Sequence, residues 1–144
     1  MVARREGEGM RRIMMILVMG MVLLALFVPG AMAADCASIF SGMGGPDTLK
    51  GDRCDNNISG LGGNDIIYGY RGADELYGNQ GSDRLYGGKG PDNLYAGDGN
   101  DSIYSGGLDG KRDLVSCGRG RDFASIAEND RAARNCEMVA VAIE

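Results

Sequence analysis

Residues 42–104 read GMGGPDTLK GDRCDNNIS GLGGNDIIY GYRGADELY GNQGSDRLY GGKGPDNLY AGDGNDSIY, seven tandem nonapeptides. Position 4 is Gly in every unit except the second, where Cys54 stands. Position 6 is Asp47, Asn56, Asp65, Asp74, Asp83, Asp92 and Asp101; position 8 is Leu49, Ile58, Ile67, Leu76, Leu85, Leu94 and Ile103. One aliphatic residue in nine cannot give the i, i+3, i+4, i+7 stripe of an amphipathic helix. Glycines at positions 1 and 4 (Cys54 and Ala96 excepted) predict tight turns with positive φ. Only the last three residues of each unit read as strand, with position 8 facing in and positions 7 and 9 facing out. Two units then make one flattened coil of eighteen residues, and coils stack at the parallel-strand spacing of about 4.8 Å. The expected fold is all-β, a right-handed parallel β-roll with disulfide-bracketed terminal caps.

The interior of such a roll is thin. Leu49, Ile67, Leu85 and Ile103 line one wall and Ile58, Leu76 and Leu94 the other. Seven aliphatic side chains do not offset the entropy of ordering a glycine-rich chain of this length, so something else must contribute. Position 6 of each unit falls over position 6 two units later. Asp47, Asp65, Asp83 and Asp101 therefore form one column, and Asn56, Asp74 and Asp92 the other. Stacked carboxylates repel unless a cation lies between them. Carboxylates with inward-pointing turn carbonyls make a hard, all-oxygen shell that suits calcium better than magnesium or zinc.

The units resemble the RTX nonapeptide G-G-x-G-x-D-x-U-x, a calcium-binding β-helix signature, over about 63 of the 111 residues that follow residue 33. The resemblance implies ions held between consecutive turns by position-6 carboxylates and backbone carbonyls. Carried over by position, the expected sites are Asp47/Asp65, Asp65/Asp83 and Asp83/Asp101 on one edge and Asp74/Asp92 on the other, about four to five Ca2+ ions in all. The carbonyls expected to join them lie near Gly45, Gly60, Gly62, Gly63, Gly69, Gly72, Gly78, Gly81, Gly87, Gly90 and Gly99. Asn56 departs from the pattern and should be a weak ligand. Familiar RTX toxins and proteases are exported through a C-terminal signal, whereas this chain begins differently, so their roles do not transfer with the repeat.

Residues 1–33 are unlike the rest. Arg4, Arg5, Arg11 and Arg12 precede the apolar run Ile13–Val28, and Ala31-Met32-Ala33 follows. A basic start, an apolar middle and an A-x-A site predict a signal peptide cleaved after Ala33. The rival reading is a membrane anchor, for which sixteen apolar residues are short; contact with a membrane is expected only without cleavage. Residues 1–33 hold four of the 15 Lys and Arg and two of the 20 Asp and Glu, so their removal takes the net charge from −5 to −7. An acidic chain without His or Trp is a poor nucleic-acid binder and has few general bases. No enzymatic activity is expected.

Four cysteines follow residue 33, and an even count in an exported chain favours two disulfides. Of the three pairings, Cys36–Cys54 and Cys117–Cys136 are preferred because each brackets one end of the repeat. The remaining segments are an N-terminal cap at 34–41, the roll at 42–104, and a degenerate repeat with a C-terminal cap at 105–144. In the last, three extra residues precede Asp113 and Val115, which otherwise fit positions 6 and 8. Asp122 is flanked by Arg119 and Arg121, which favours a salt bridge over a metal. Residues 129–134 (NDRAAR) suggest one helical turn and 137–143 (EMVAVAI) a closing strand. Tyr68, Tyr77, Tyr86, Tyr95 and Tyr104 occupy position 9 and face outward as a structural ladder or a platform for a partner. The expected function is that of a secreted, extracellular protein that folds on binding calcium. The alternative is a cell-surface adhesion module in which the same roll binds a polysaccharide or a protein.

Overall fold

The computed structural model describes residue 36 and residues 39–107, 109–133 and 135–142. The expected signal peptide, 1–33, lies outside the described residues. All described residues belong to one compact unit, Asp35–Glu144, and none of their helices is long and apolar enough to cross a membrane.

The nine-residue period becomes strands β1 (Ile39–Ser41), β2 (Thr48–Lys50), β3 (Asn57–Ser59), β4 (Ile66–Arg71), β5 (Glu75–Gln80), β6 (Arg84–Lys89) and β7 (Asn93–Asp98). They continue through β8 (Ser102–Gly106), β9 (Leu114–Arg119), β10 (Phe123–Ala127), β11 (Arg131–Ala132) and β12 (Met138–Ala142). Odd strands form one six-stranded sheet in the order β1-β3-β5-β7-β9-β11, and even strands the other, β12-β10-β8-β6-β4-β2. Each strand pairs in parallel with the strand two units on, so the chain winds as a β-solenoid of about six turns. Both walls expected from position 8 are present. Leu49 pairs with Ile67, Leu85 and then Ile103, and Ile58 with Leu76 and then Leu94. All of these but Leu49 are fully buried.

Strands β4 to β7 run for six residues rather than the expected three. Pairing resumes beyond position 9, with Tyr70 against Gly88 and Arg71 against Lys89, and Asn79 against Gly97 and Gln80 against Asp98. The turn glycines also divide differently from expectation. Positive φ falls at position 4 (Gly63, Gly72, Gly81, Gly90, Gly99) and at position 2, where Leu61, Tyr70 and Asn79 adopt it without being glycine. Position 1 is glycine for another reason, close approach. A Cβ at Gly42 would lie 2.8 Å from Asp47 Oδ2 and 2.6 Å from the Gly60 carbonyl oxygen.

Both terminal segments extend the sheets. Phe40 pairs with Ile58 and packs on the core, so β1 covers the first coil as expected. The three-residue insertion is absorbed before β9, after which Leu94 pairs with Val115 and Ile103 with Ala124. The one-turn helix expected at 129–134 is absent; β11 forms there instead, pairing Ala132 with Val115. Its backbone donates from Arg131 to the Asp113 carbonyl and from Ala133 to that of Val115, so an existing ladder satisfies it better than an isolated turn. The closing strand is β12, parallel to β10, with Met138, Val139 and Val141 about half exposed. The disulfides are Cys36–Cys54 and Cys117–Cys136, with Cα–Cα distances of 5.8 and 5.1 Å. Cys117 stands at position 1 of its unit and is fully buried.

Candidate metal centre: two columns of carboxylates

Coil stacking places the position-6 residues in the two expected columns, and a hydrogen-bond ladder ties each column together. On one edge the backbone N–H of Asp47 donates to Asp65 Oδ1, that of Asp65 to Asp83 Oδ1 and that of Asp83 to Asp101 Oδ1, each at 2.8 Å. On the other, Asn56 donates to Asp74 and Asp74 to Asp92, each at 2.9 Å, and Asp92 to Asp113 at 2.8 Å. The carbonyl of each such residue accepts from position 7 of the next coil, as in Arg84 N–H to the Asp65 carbonyl at 2.8 Å. The side chain thus carries the ladder across the turn, at a residue whose own N–H would otherwise be an unpaired buried donor. Position 5 bridges the same gap in the opposite direction. Asn64 accepts from the Ser82 N–H at 2.8 Å, Ser82 from that of Asn100 at 3.3 Å, and Asn100 from that of Arg121 at 3.0 Å.

One carboxylate oxygen remains. Asp65, Asp74, Asp83, Asp92, Asp101 and Asp122 each bury Oδ2 without a hydrogen-bond partner, and all six residues are at most 2% exposed. Burying an ionised carboxylate with one oxygen unsatisfied is strongly unfavourable. Burial pushes the carboxyl of Asp92 up to about 7 and those of Asp74, Asp101 and Asp113 up to about 6, against the usual 3.8. Asp83 shifts the same way. The N–H bond from the preceding coil opposes the shift; neighbouring carboxylates, such as Asp113 and Asp74 around Asp92, add to it. Desolvation therefore outweighs the column repulsion expected from the sequence.

The orphan oxygens of Asp65, Asp74, Asp83 and Asp92 each lie beside a carbonyl of the next coil. Over Gly69 lie Asp74 Oδ2 and the Gly87 carbonyl oxygen; over Gly78, Asp83 Oδ2 and the Ala96 carbonyl; over Gly87, Asp92 Oδ2 and the Ser105 carbonyl. The position-4 carbonyls of Gly45, Gly63, Gly72, Gly81 and Gly99 are stacked against the position-4 glycine of the following coil. The carbonyls of Gly60, Gly69, Gly78 and Gly87 lie over the position-1 glycine of the preceding coil. No three His, Cys, Asp or Glu side chains converge among the described residues, so a cation here draws on at most two carboxylates and otherwise on main-chain oxygens. That donor set is all oxygen, partly anionic and held by backbone, which fits calcium.

Asn56 departs from the other position-6 residues. Its Oδ1 accepts from the Asp52 N–H at 2.8 Å and its Nδ2 donates to Asp52 Oδ1 at 3.3 Å, a local turn in place of an orphan oxygen. Asp47, at the open end, accepts from Met43 N–H through Oδ2 at 2.7 Å. The expected salt bridge at Asp122 does not form. Its Oδ1 accepts from the Asp101 N–H at 3.0 Å, its Oδ2 has no partner, and Arg119 and Arg121 are exposed.

The outward tyrosines stack face to face, Tyr68 on Tyr86 at 4.8 Å, Tyr86 on Tyr104 at 4.9 Å and Tyr77 on Tyr95 at 5.0 Å between ring centroids. Each ring lies face to face with at least one other tyrosine, as in a structural ladder.

Residues 41–76, 55–85 and 77–110 match the family model of the RTX calcium-binding nonapeptide repeat. No curated protein and no solved structure matches the chain. The matched residues include five of the six aspartates with a buried, unpartnered Oδ2. Residues 41–110 are therefore RTX calcium-binding nonapeptide repeats.

Proposed function

We propose that the chain is a secreted calcium-binding β-roll protein that folds as calcium occupies its Gly/Asp turns. The observation that carries this reading is the set of buried, unpartnered Oδ2 atoms at one phase of the repeat. The ligands are Asp47 and Asp65, Asp65 and Asp83, and Asp83 and Asp101 on one edge, and Asp74 and Asp92 on the other, completed by turn carbonyls. Asn56, already engaged by Asp52, is a weak partner for Asp74. The recognised repeats thus hold about four to five ions.

Bound calcium supplies positive charge where the fold concentrates carboxylates and replaces their lost hydration. At Asp65, Asp74, Asp83, Asp92 and Asp101 the chain's own part is to orient Oδ1 onto the neighbouring N–H, leave Oδ2 free, and exclude water from both, whereas Asp47 Oδ2 already accepts the Met43 N–H. The metal-binding free energy is then folding free energy. Sites of about 10⁻⁴–10⁻³ M fill outside the cell and stay empty in the cytosol. The two disulfides support an oxidising compartment, consistent with residues 1–33 acting as a secretory signal. Face-to-face packing of the tyrosines favours this reading over an adhesion module that would stack sugars on those rings. Calcium titration followed by far-UV circular dichroism tests the proposal. A β signal that rises with calcium supports it, whereas a full signal in chelator that calcium leaves unchanged rejects it.

A further inference from the structure

Beyond residue 110 the nonapeptide pattern is broken, yet the carboxylate column is not. The insertion widens the spacing between stacked aspartates from 18 residues to 21. It does not disturb their geometry. Asp122 is fully buried and caps the Asp101 N–H through Oδ1, as Asp101 caps Asp83. Asp101 and Asp122 each keep a buried Oδ2 without a partner. The adjacent arginines do not neutralise them. Arg119 pairs along its strand with Asp98, Arg121 gives its N–H to Asn100, and both side chains are exposed.

The opposite column ends in another way. Asp113 donates its N–H to Asp130 Oδ1 at 3.0 Å, and Asp130 Oδ2 accepts from the Ser105 hydroxyl and from the Ala127 N–H at 2.7 Å. Both oxygens of Asp130 are satisfied by the protein. Among the described residues, the last unpartnered oxygen on this edge that is fully buried belongs to Asp92.

We infer that Asp101 and Asp122 hold an additional calcium ion, one coil past the recognised repeats, and that Asp130 closes the other column with hydrogen bonds in place of a metal. The inference rests on the calcium reading above and adds a specific ligand to it. Two stacked carboxylates, each with one desolvated oxygen, need a small hard cation, and the main-chain oxygens of the turn supply the rest of its shell.

The test is ion counting by native mass spectrometry on the full disulfide-bonded chain at saturating calcium, for the wild type, Asp122→Asn and Asp130→Asn. Asparagine keeps an acceptor for the Asp101 N–H, and circular dichroism in calcium checks that each variant is folded. Asp122→Asn should bind one ion fewer than the wild type, and Asp130→Asn the same number. An unchanged count in Asp122→Asn overturns the inference while leaving the calcium reading intact; a wild type that binds no calcium overturns both. Should Asp122→Asn fail to fold, anomalous scattering from wild-type crystals grown with calcium decides. A peak between Asp101 and Asp122 supports the site, and peaks confined to the earlier coils reject it.

Discussion

Asp83 spans two coils with one carboxylate: its Oδ1 accepts the Asp65 backbone N–H at 2.8 Å, while its Oδ2 is buried without a partner. The side chain therefore has two separable tasks. One oxygen completes the parallel ladder across a turn that has no strand pairing of its own. The other is left for a cation. A neutral amide oxygen could perform the first task, but only a carboxylate supplies charge for the second.

Asp83→Asn and Asp83→Ala separate these tasks. In saturating calcium both should lose affinity, because both remove the charge. Asp83→Ala should be less stable than Asp83→Asn by about 1–3 kcal/mol, since it also strands the buried Asp65 N–H. Urea unfolding at saturating calcium measures the gap, and equal midpoints would show that the ladder bond contributes nothing.

The two kinds of turn glycine should fail differently. Gly81 has a φ of +127°, and a Cβ there would run into the Gly63 carbonyl one coil back. Gly81→Ala should cost at least about 2 kcal/mol at saturating calcium. Leu61, half exposed at a φ of 73°, is the reverse case. Leu61→Gly should stabilise by about 0.5–1 kcal/mol, the left-handed strain relieved less the entropy of glycine. Thermal melts of the two variants check both signs; a destabilised Leu61→Gly would mean that its side-chain packing outweighs the backbone term.

How far the sequence could be read follows from what a period encodes. A single aliphatic residue at position 8 and a single acid at position 6 settle which residues stack, so both walls and both columns were legible down to the residue. What position 1 does was not. Glycine there signals a positive φ and a close approach equally well, and only the packed coils show that carboxylate and carbonyl oxygens occupy the missing Cβ. The division of labour between Oδ1 and Oδ2 was hidden for a similar reason, since it depends on which N–H groups the turn leaves unpaired. Asp122 was misread because Arg119 and Arg121 adjoin it in sequence. Strand alternation turns both outward while Asp122 faces in, and that geometry could have been applied once the register past the insertion was known.

The C-terminal disulfide anchors the part of the roll with the weakest repeat. Cys117 fills a position-1 slot in the core and Cys136 packs against that core from the segment leading into β12. Replacing both with serine opens a loop closed over 19 residues, a loss of about 3 kcal/mol in the chain-entropy account. The calcium concentration needed for half-maximal β signal should rise accordingly. An unchanged midpoint in the Cys117→Ser, Cys136→Ser double variant would show that the terminal coils fold independently of the bridge.

Acid should affect the metal-free and calcium-loaded protein in opposite directions. In the metal-free fold, burial raises the carboxyls of Asp74, Asp101 and Asp113 to about 6 and that of Asp92 to about 7, from the usual 3.8. Between those limits the folded chain binds more protons than the unfolded one, so stability falls as pH rises. The contribution is fully present below the unfolded value and is lost as pH passes through 6 to 7. Without calcium, the folded fraction, small at neutral pH, should therefore be higher near pH 4.5 than near pH 7.5 (both approximate). With saturating calcium the order reverses, because protons and the ion compete for the same buried oxygens and acid releases the metal. Far-UV circular dichroism at the two pH values, with and without calcium, makes the comparison. A metal-free β signal that is level or rises toward neutral pH would mean that the buried oxygens are satisfied by something other than a proton or a cation, and the account of both columns would fail with it.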